Sequence, residues 1–136
     1  MADKSVTLTE LKGDNFKVHY IDTTTWNSAV DDILDTAPIK ISDFENHSLK
    51  LGGEFDDTVV YYMTASDTDQ FDDGYWPDLI TLGTIGSIST QPQLFTAITF
   101  KADVYVKFYI KSTKIKNRTG LRIYFTQTRK TYKMIQ

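Results

Sequence analysis

Along most of the chain apolar and polar residues alternate with a period of two, the mark of strands with one buried and one wetter face. In VYVKFYIK, Val104, Val106, Phe108 and Ile110 fall on one side and Tyr105, Lys107, Tyr109 and Lys111 on the other. LRIYFT repeats the pattern, setting Leu121, Ile123 and Phe125 against Arg122, Tyr124 and Thr126. The intervening KNRTG predicts a hairpin loop, so these two segments are expected to pair, with the seven apolar residues directed into the core. Near the start, SVTLTEL and NFKVHYI predict a second hairpin around KGD, with Phe16, Val18 and Tyr20 on one side.

One segment departs from this period. In TTTWNSAVDDILDTAP, Trp26, Val30, Ile33 and Leu34 lie on one helical face, a threonine stands where a cap is needed, and Pro38 forbids continuation. The spacing predicts a helix over residues 25–35. Short strands are expected at IKI, SLKL, TVVYYMT, LITLGTI and LFTAITF, separated by SDFEN and GGEFDD, where Gly, Asp and Asn supply turn chemistry. About eight strands and one helix in 136 residues, with no internal repeat, predict one mainly β domain. The expected architecture is an antiparallel two-sheet sandwich, jelly-roll-like, with a closed barrel as the alternative.

Composition agrees with a globular chain: 40% hydrophobic, 24% charged and 13% aromatic residues. The absence of cysteine excludes a disulfide framework, a zinc-thiolate site and a thiol nucleophile. No stretch reaches the roughly 18 apolar residues of a membrane helix, and MADKSVTLTE lacks a secretion signal's apolar run, so a soluble protein is expected. Charge is distributed unevenly. Residues 1–78 hold 5 Lys and 17 acidic residues, net −12; residues 79–100 hold none; residues 101–136 hold 10 Lys plus Arg and one Asp, net +9. Segments of such opposed sign predict attraction, either within the fold or between copies, with the uncharged stretch as core or interface.

The densest acidic stretch is SDTDQFDDGYWPD, residues 66–78. Asp67, Asp69, Asp72 and Asp73 are the only candidate metal ligands, with Ca²⁺ the fitting ion, and Gly74 allows a sharp turn. The EF-hand order fails, because counting from Asp67 the fifth position is Phe71 and the sixth is Asp72. The simpler expectation is a solvated loop, anchored by Phe71, Tyr75 or Trp76, that needs no cofactor. Its WPD tripeptide also occurs in the acid loop of protein tyrosine phosphatases, whose cysteine nucleophile this chain lacks.

No catalytic motif accompanies His19 or His47, and carboxylate pairs such as Asp31 with Asp35 or Asp56 with Asp57 are expected by chance among 18 acids. No enzyme is expected. The sequons at Asn46 and Asn117 read as chance matches. Tyr105, Lys107, Tyr109, Lys111, Arg122, Tyr124 and Lys130 combine rings and cations as a single-strand nucleic-acid platform would, although such residues are ordinary on the wet face of a sheet.

In manner the chain resembles small all-β virion structural proteins of tailed bacteriophages. The likeness is carried by MADKSVTLTELKGDNFKVHY as an unsignalled strand start, ADVYVKFYIKSTKIKNRTGLRIYF as a closing hairpin, and short Thr- and Tyr-rich strands without cysteine. The resemblance implies a decoration, collar, connector or tail subunit, made in the host cytoplasm and carried in the virion. Its partners would be copies of itself and other structural proteins, with Tyr105, Lys107, Tyr109, Lys111, Arg122 and Tyr124 as interface candidates and no cofactor. The alternative is a carbohydrate-binding module stacking sugar rings on Trp26, Tyr75 and Trp76. Nucleic-acid binding stands third.

Overall fold

A computed structural model describes residues 4–28, 32–53, 55, 57–71, 79–85, 93–100, 103–112 and 116–129; side chains at 4, 22–28, 32, 112 and 116–120 are not described. Two sheets pack face to face, and they do not close into a barrel. The strands are β1 (Lys4–Val6), β2 (Thr9–Lys12), β3 (Phe16–Ser28), β4 (Asp32–Thr36), β5 (Ile39–Lys40), β6 (Asn46–Gly52), β7 (Thr58–Ala65), β8 (Ile80–Ile85), β9 (Gln93–Phe95), β10 (Tyr105–Ser112) and β11 (Lys116–Thr128). Sheet 1 has the order β1-β4-β10-β7-β8, with β5 pairing β10 beyond the end of β4; sheet 2 has the order β2-β3-β11-β6-β9. All pairs are antiparallel except β1 with β4, which run parallel.

The helix expected over 25–35 is absent where the chain is described: its first part continues β3 and its last part is β4. A long partner overrides the local period. β3 pairs β11 from Phe16 opposite Thr128 to Ser28 opposite Lys116, and β4 fills the slot between β1 and β10. The segment's Thr-rich composition suits a pleated sheet, and tertiary pairing routinely outweighs a weak helical preference. Pro38 still interrupts, but what it separates is β4 from β5, consistent with its missing ladder donor.

The closing hairpin is also corrected. β10 lies centrally in sheet 1 and β11 centrally in sheet 2, so the two stack face to face, and Lys116–Gly120 belongs to β11 instead of a loop. The early hairpin holds for β2 and β3, closed by Gly13 N–H donating to the Phe16 carbonyl at 2.9 Å, whereas Lys4–Val6 crosses into the other sheet.

The core lies between the sheets and takes the apolar face of each central strand. Val106, Phe108 and Ile110 from β10 meet Leu121, Ile123 and Phe125 from β11, all at most 1% exposed, while Val104 is half-buried just ahead of β10. The Phe108 and Phe125 rings meet edge to face at 4.9 Å, and Phe100 closes on both. Leu34, Leu49, Leu51, Phe55 and Val60 complete the centre. At about 1.5–3 kcal/mol per buried large apolar side chain, this cluster is the dominant stabilising element.

A candidate interaction surface on sheet 2

Direct cross-strand neighbours share a face. On sheet 2 the register therefore sets Thr9, Tyr20, Tyr124, Lys50 and Leu94 in one outward row and Leu11, Val18, Thr126 and Ser48 in the next. The Tyr20 and Tyr124 rings stack at 6.2 Å across β3 and β11. Leu94 at 60%, Leu11 at 54% and Phe16 at 40% are the exposed large hydrophobic side chains among the described residues, and all three belong to this face. Phe16, Val18 and Tyr20 do share a side, as the sequence predicts, but it is the outer side; the buried residue of the run is His19.

A groove of about 420 Å³ runs over β6 on this face. Ser48, Lys50 and Gly52 form its floor, Leu94 one wall, and Arg122, Tyr124 and Thr126 the other. The Arg122 guanidinium crosses the strand over Gly52, and a Cβ there would stand 2.8 Å from Arg122 Nε and shift the side chain. The described lining holds two cations and no carboxylate, and neither Lys50 nor Arg122 has an ion-pair partner among the described residues.

Sheet 1 turns a different face outward. Tyr109, Met63, Ala65 and Phe71 form a second buried cluster, with Phe71 supplied by a short 3-10 turn, Thr68–Phe71. Of the three anchors expected for the acidic loop, Phe71 is thus one; Asp72, Asp73, Tyr75 and Trp76 lie outside the described residues. Beneath the turn Lys107 Nζ stands 2.8 Å from Asp35, with the Phe71 and Tyr109 rings within 6 Å of the ammonium. Ser5 Oγ donates to the same carboxylate at 2.5 Å, tying β1 to β4. Burial, reinforced by the Asp35 charge, pushes the Tyr109 phenol far above its usual range. Lys107 and Tyr109, expected on a wet interface, are occupied within the fold, and Tyr105 packs at the edge of the cluster. Lys111 is half-buried on the same side. Arg122 and Tyr124 point from the opposite sheet, so the six interface candidates do not form one patch.

The acidic turn is well stitched. Gln70 Oε1 accepts from Ser66 N–H at 2.8 Å and Asp67 N–H at 2.9 Å, and Asp67 Oδ1 accepts from Thr68 N–H at 2.8 Å. Asp103 accepts from Thr64 Oγ1 at 2.6 Å and Ser66 Oγ at 3.4 Å, which brings a third carboxylate to this corner. Asp67 and Asp69 are exposed. No group of three or more metal-ligating side chains gathers among the described residues.

His19 and His47 approach the same buried amide from opposite sides. Gln127 Nε2 donates to the Lys40 carbonyl at 3.1 Å, which orients the amide. Gln127 Oε1 then accepts from His19 Nε2 at 2.8 Å, and Gln127 Nε2 faces His47 Nδ1 at 3.4 Å. Both rings flank Phe125, at 6.0 and 5.8 Å. Burial lowers both histidine pKa values, opposed for His19 by the Gln127 hydrogen bond and for His47 by one with the Phe44 backbone. Cavities open beside each ring, with Glu10 and Lys17 near His19 and with Glu45 and Asp103 near His47. The nitrogens facing Gln127 are committed to its amide, so this trio stitches β3, β11 and β6 together.

Of the sugar-stacking candidates, Trp26 lies on β3 opposite Arg118, its side chain among those not described. Lys50, Gly52 and Leu94 were not singled out by sequence reasoning. Lys50, between Leu49 and Leu51, carried an alternation signal; Gly52 carried none, because its role depends on a strand about 70 residues away. No helix among the described residues is long and apolar enough to cross a membrane. The chain matches no family model and no curated protein.

Proposed function

We propose that the chain is a non-enzymatic structural subunit that assembles with copies of itself into a homo-oligomer or lattice. In keeping with its resemblance, the assembly is a phage virion part, such as a decoration, collar, connector or tail element. The observation that carries this reading is the position of the uncharged stretch. β8 and β9, both within residues 79–100, end their respective sheets, and the Gly83 Cα faces the Phe95 ring, so the two strands flank the same side of the sandwich. Soluble monomers protect strand edges with lysine, proline or inward charge, because an unguarded edge recruits another chain. Here the described edge residues carry no charge, and Leu94 stands exposed beside them.

A second copy is the occupant that fits this surface: every copy presents an uncharged edge, a basic groove on one sheet and an acidic corner on the other. Sedimentation velocity over a wide range of protein and salt concentrations tests the reading. Concentration-dependent association is expected, and a monomer under every condition refutes it.

A further inference from the structure

The groove on sheet 2 and the acidic corner on sheet 1 are complementary, and they cannot meet within one subunit. The turn carrying Asp67 and Asp69 packs through Phe71 on the outer cluster of sheet 1, Lys50 and Arg122 stand on the outer face of sheet 2, and the outer faces of two packed sheets point away from each other. We propose that the acidic corner of one copy docks into the Lys50–Arg122 groove of the next, making a heterologous, head-to-tail contact. The inference rests on the assembly reading above and names the residues of its interface.

Three features support the pairing. First, the groove offers two cations unpaired among the described residues, Lys50 and the Arg122 guanidinium that lies over Gly52. Second, the corner is already ordered by the Gln70 and Asp103 hydrogen bonds, so docking sacrifices little conformational freedom. Third, Leu94 and Tyr124 wall the groove, which allows apolar burial behind the charges. A contact joining different surfaces of identical copies uses the same polarity at every step, and either closes into a ring or extends. Of the described cations after residue 100, Lys107 is neutralised by Asp35 within sheet 1, whereas Arg122 stands in the groove.

Nucleic acid is a weaker candidate. Two cations neutralise few phosphates, and affinity for a polyanion grows with the number neutralised.

The test is a charge swap. One variant carries Lys50→Glu and Arg122→Glu, the other Asp67→Lys and Asp69→Lys; all four positions are exposed. Circular dichroism melts check that both fold. Each variant alone sets like charges against each other, and its self-association is expected to weaken tenfold or more. Mixed in equal amounts, they present opposite charges at both kinds of contact, and association is expected to return. A folding defect would not be repaired by mixing. Gly52→Ala, which displaces the guanidinium without altering charge, is expected to weaken association several-fold at unchanged melting temperature. If wild type associates but both swap variants associate equally well, or their mixture stays monomeric, the docking inference is overturned while the assembly reading stands. A wild-type monomer throughout overturns both. If the wild type binds a 20-nucleotide oligothymidine, and Lys50→Glu with Arg122→Glu abolishes that binding but not self-association, the groove serves nucleic acid and the inference falls.

Discussion

Replacing Asp35 by asparagine separates two roles for Lys107, a contact residue for other molecules or a structural cation of its own fold. The carboxylate is 2.8 Å from Lys107 Nζ, and the two side chains are 7% and 14% exposed. Removing one member of a pair this well buried leaves the other charge without compensation, at a cost of about 3–5 kcal/mol. Asparagine keeps an acceptor for Ser5 Oγ, and the Phe71 and Tyr109 rings still face the ammonium, so the lower end applies, about 3 kcal/mol. For a chain of this size that corresponds to a melting temperature lower by about 10 °C. The matching control is Asp43→Asn, which breaks the Lys40–Asp43 pair; with side chains 49% and 46% exposed, its loss should cost below about 0.5 kcal/mol. Replacing both buried partners, Asp35→Leu with Lys107→Met, should recover much of the loss, because no unpaired charge remains. Urea denaturation followed by circular dichroism measures all three. If Asp35→Asn costs no more than Asp43→Asn, solvent reaches the pair, the turn carrying Phe71 does not cover it, and Lys107 returns to the list of contact residues.

Other outcomes follow from the core. Gln127→Leu removes the partner of His19, His47 and the Lys40 carbonyl together, and should cost about 2–4 kcal/mol in urea denaturation. Both histidines have pKa values lowered below 6.5 in the folded protein, so the unfolded chain binds more protons as pH falls. Stability should be level above about pH 7.5 and decline as pH drops through 6.5 towards the folded values, a slope that His19→Gln with His47→Gln should flatten. Phe125→Ala, at the meeting point of the two sheets, should cost about 3–5 kcal/mol. Gly83→Ala would place a Cβ 2.4 Å from the Phe95 ring and should destabilise by about 1–3 kcal/mol, read as a lower melting temperature.

The sequence by itself determined the class of fold and most of the core. Alternation is a property of each strand alone, so it directs Val104, Val106, Phe108, Ile110, Leu121, Ile123 and Phe125 to the interior without reference to a partner, and the structure buries all but Val104, which is half-buried. The acidic loop offers three aromatic anchors in sequence, Phe71, Tyr75 and Trp76; the structure places Phe71 in an apolar cluster, and the other two lie outside the described residues. Pairing was decided only in three dimensions. Strands joined by a short link show the same alternation whether they lie side by side in one sheet or face each other across two, and the close approach of Phe108 to Phe125 belongs to the second case. The segment 25–35 resolved the same way: its helical spacing was a local preference worth little beside the ladder that β11 offers β3. Tertiary structure likewise separated Lys107 from Arg122 by placing β10 and β11 in opposite sheets, and it gathered Lys50, Gly52, Leu94 and Arg122 from three strands into one groove. Those residues meet through hydrogen-bond ladders between distant segments, and no period along the chain encodes which ladder forms.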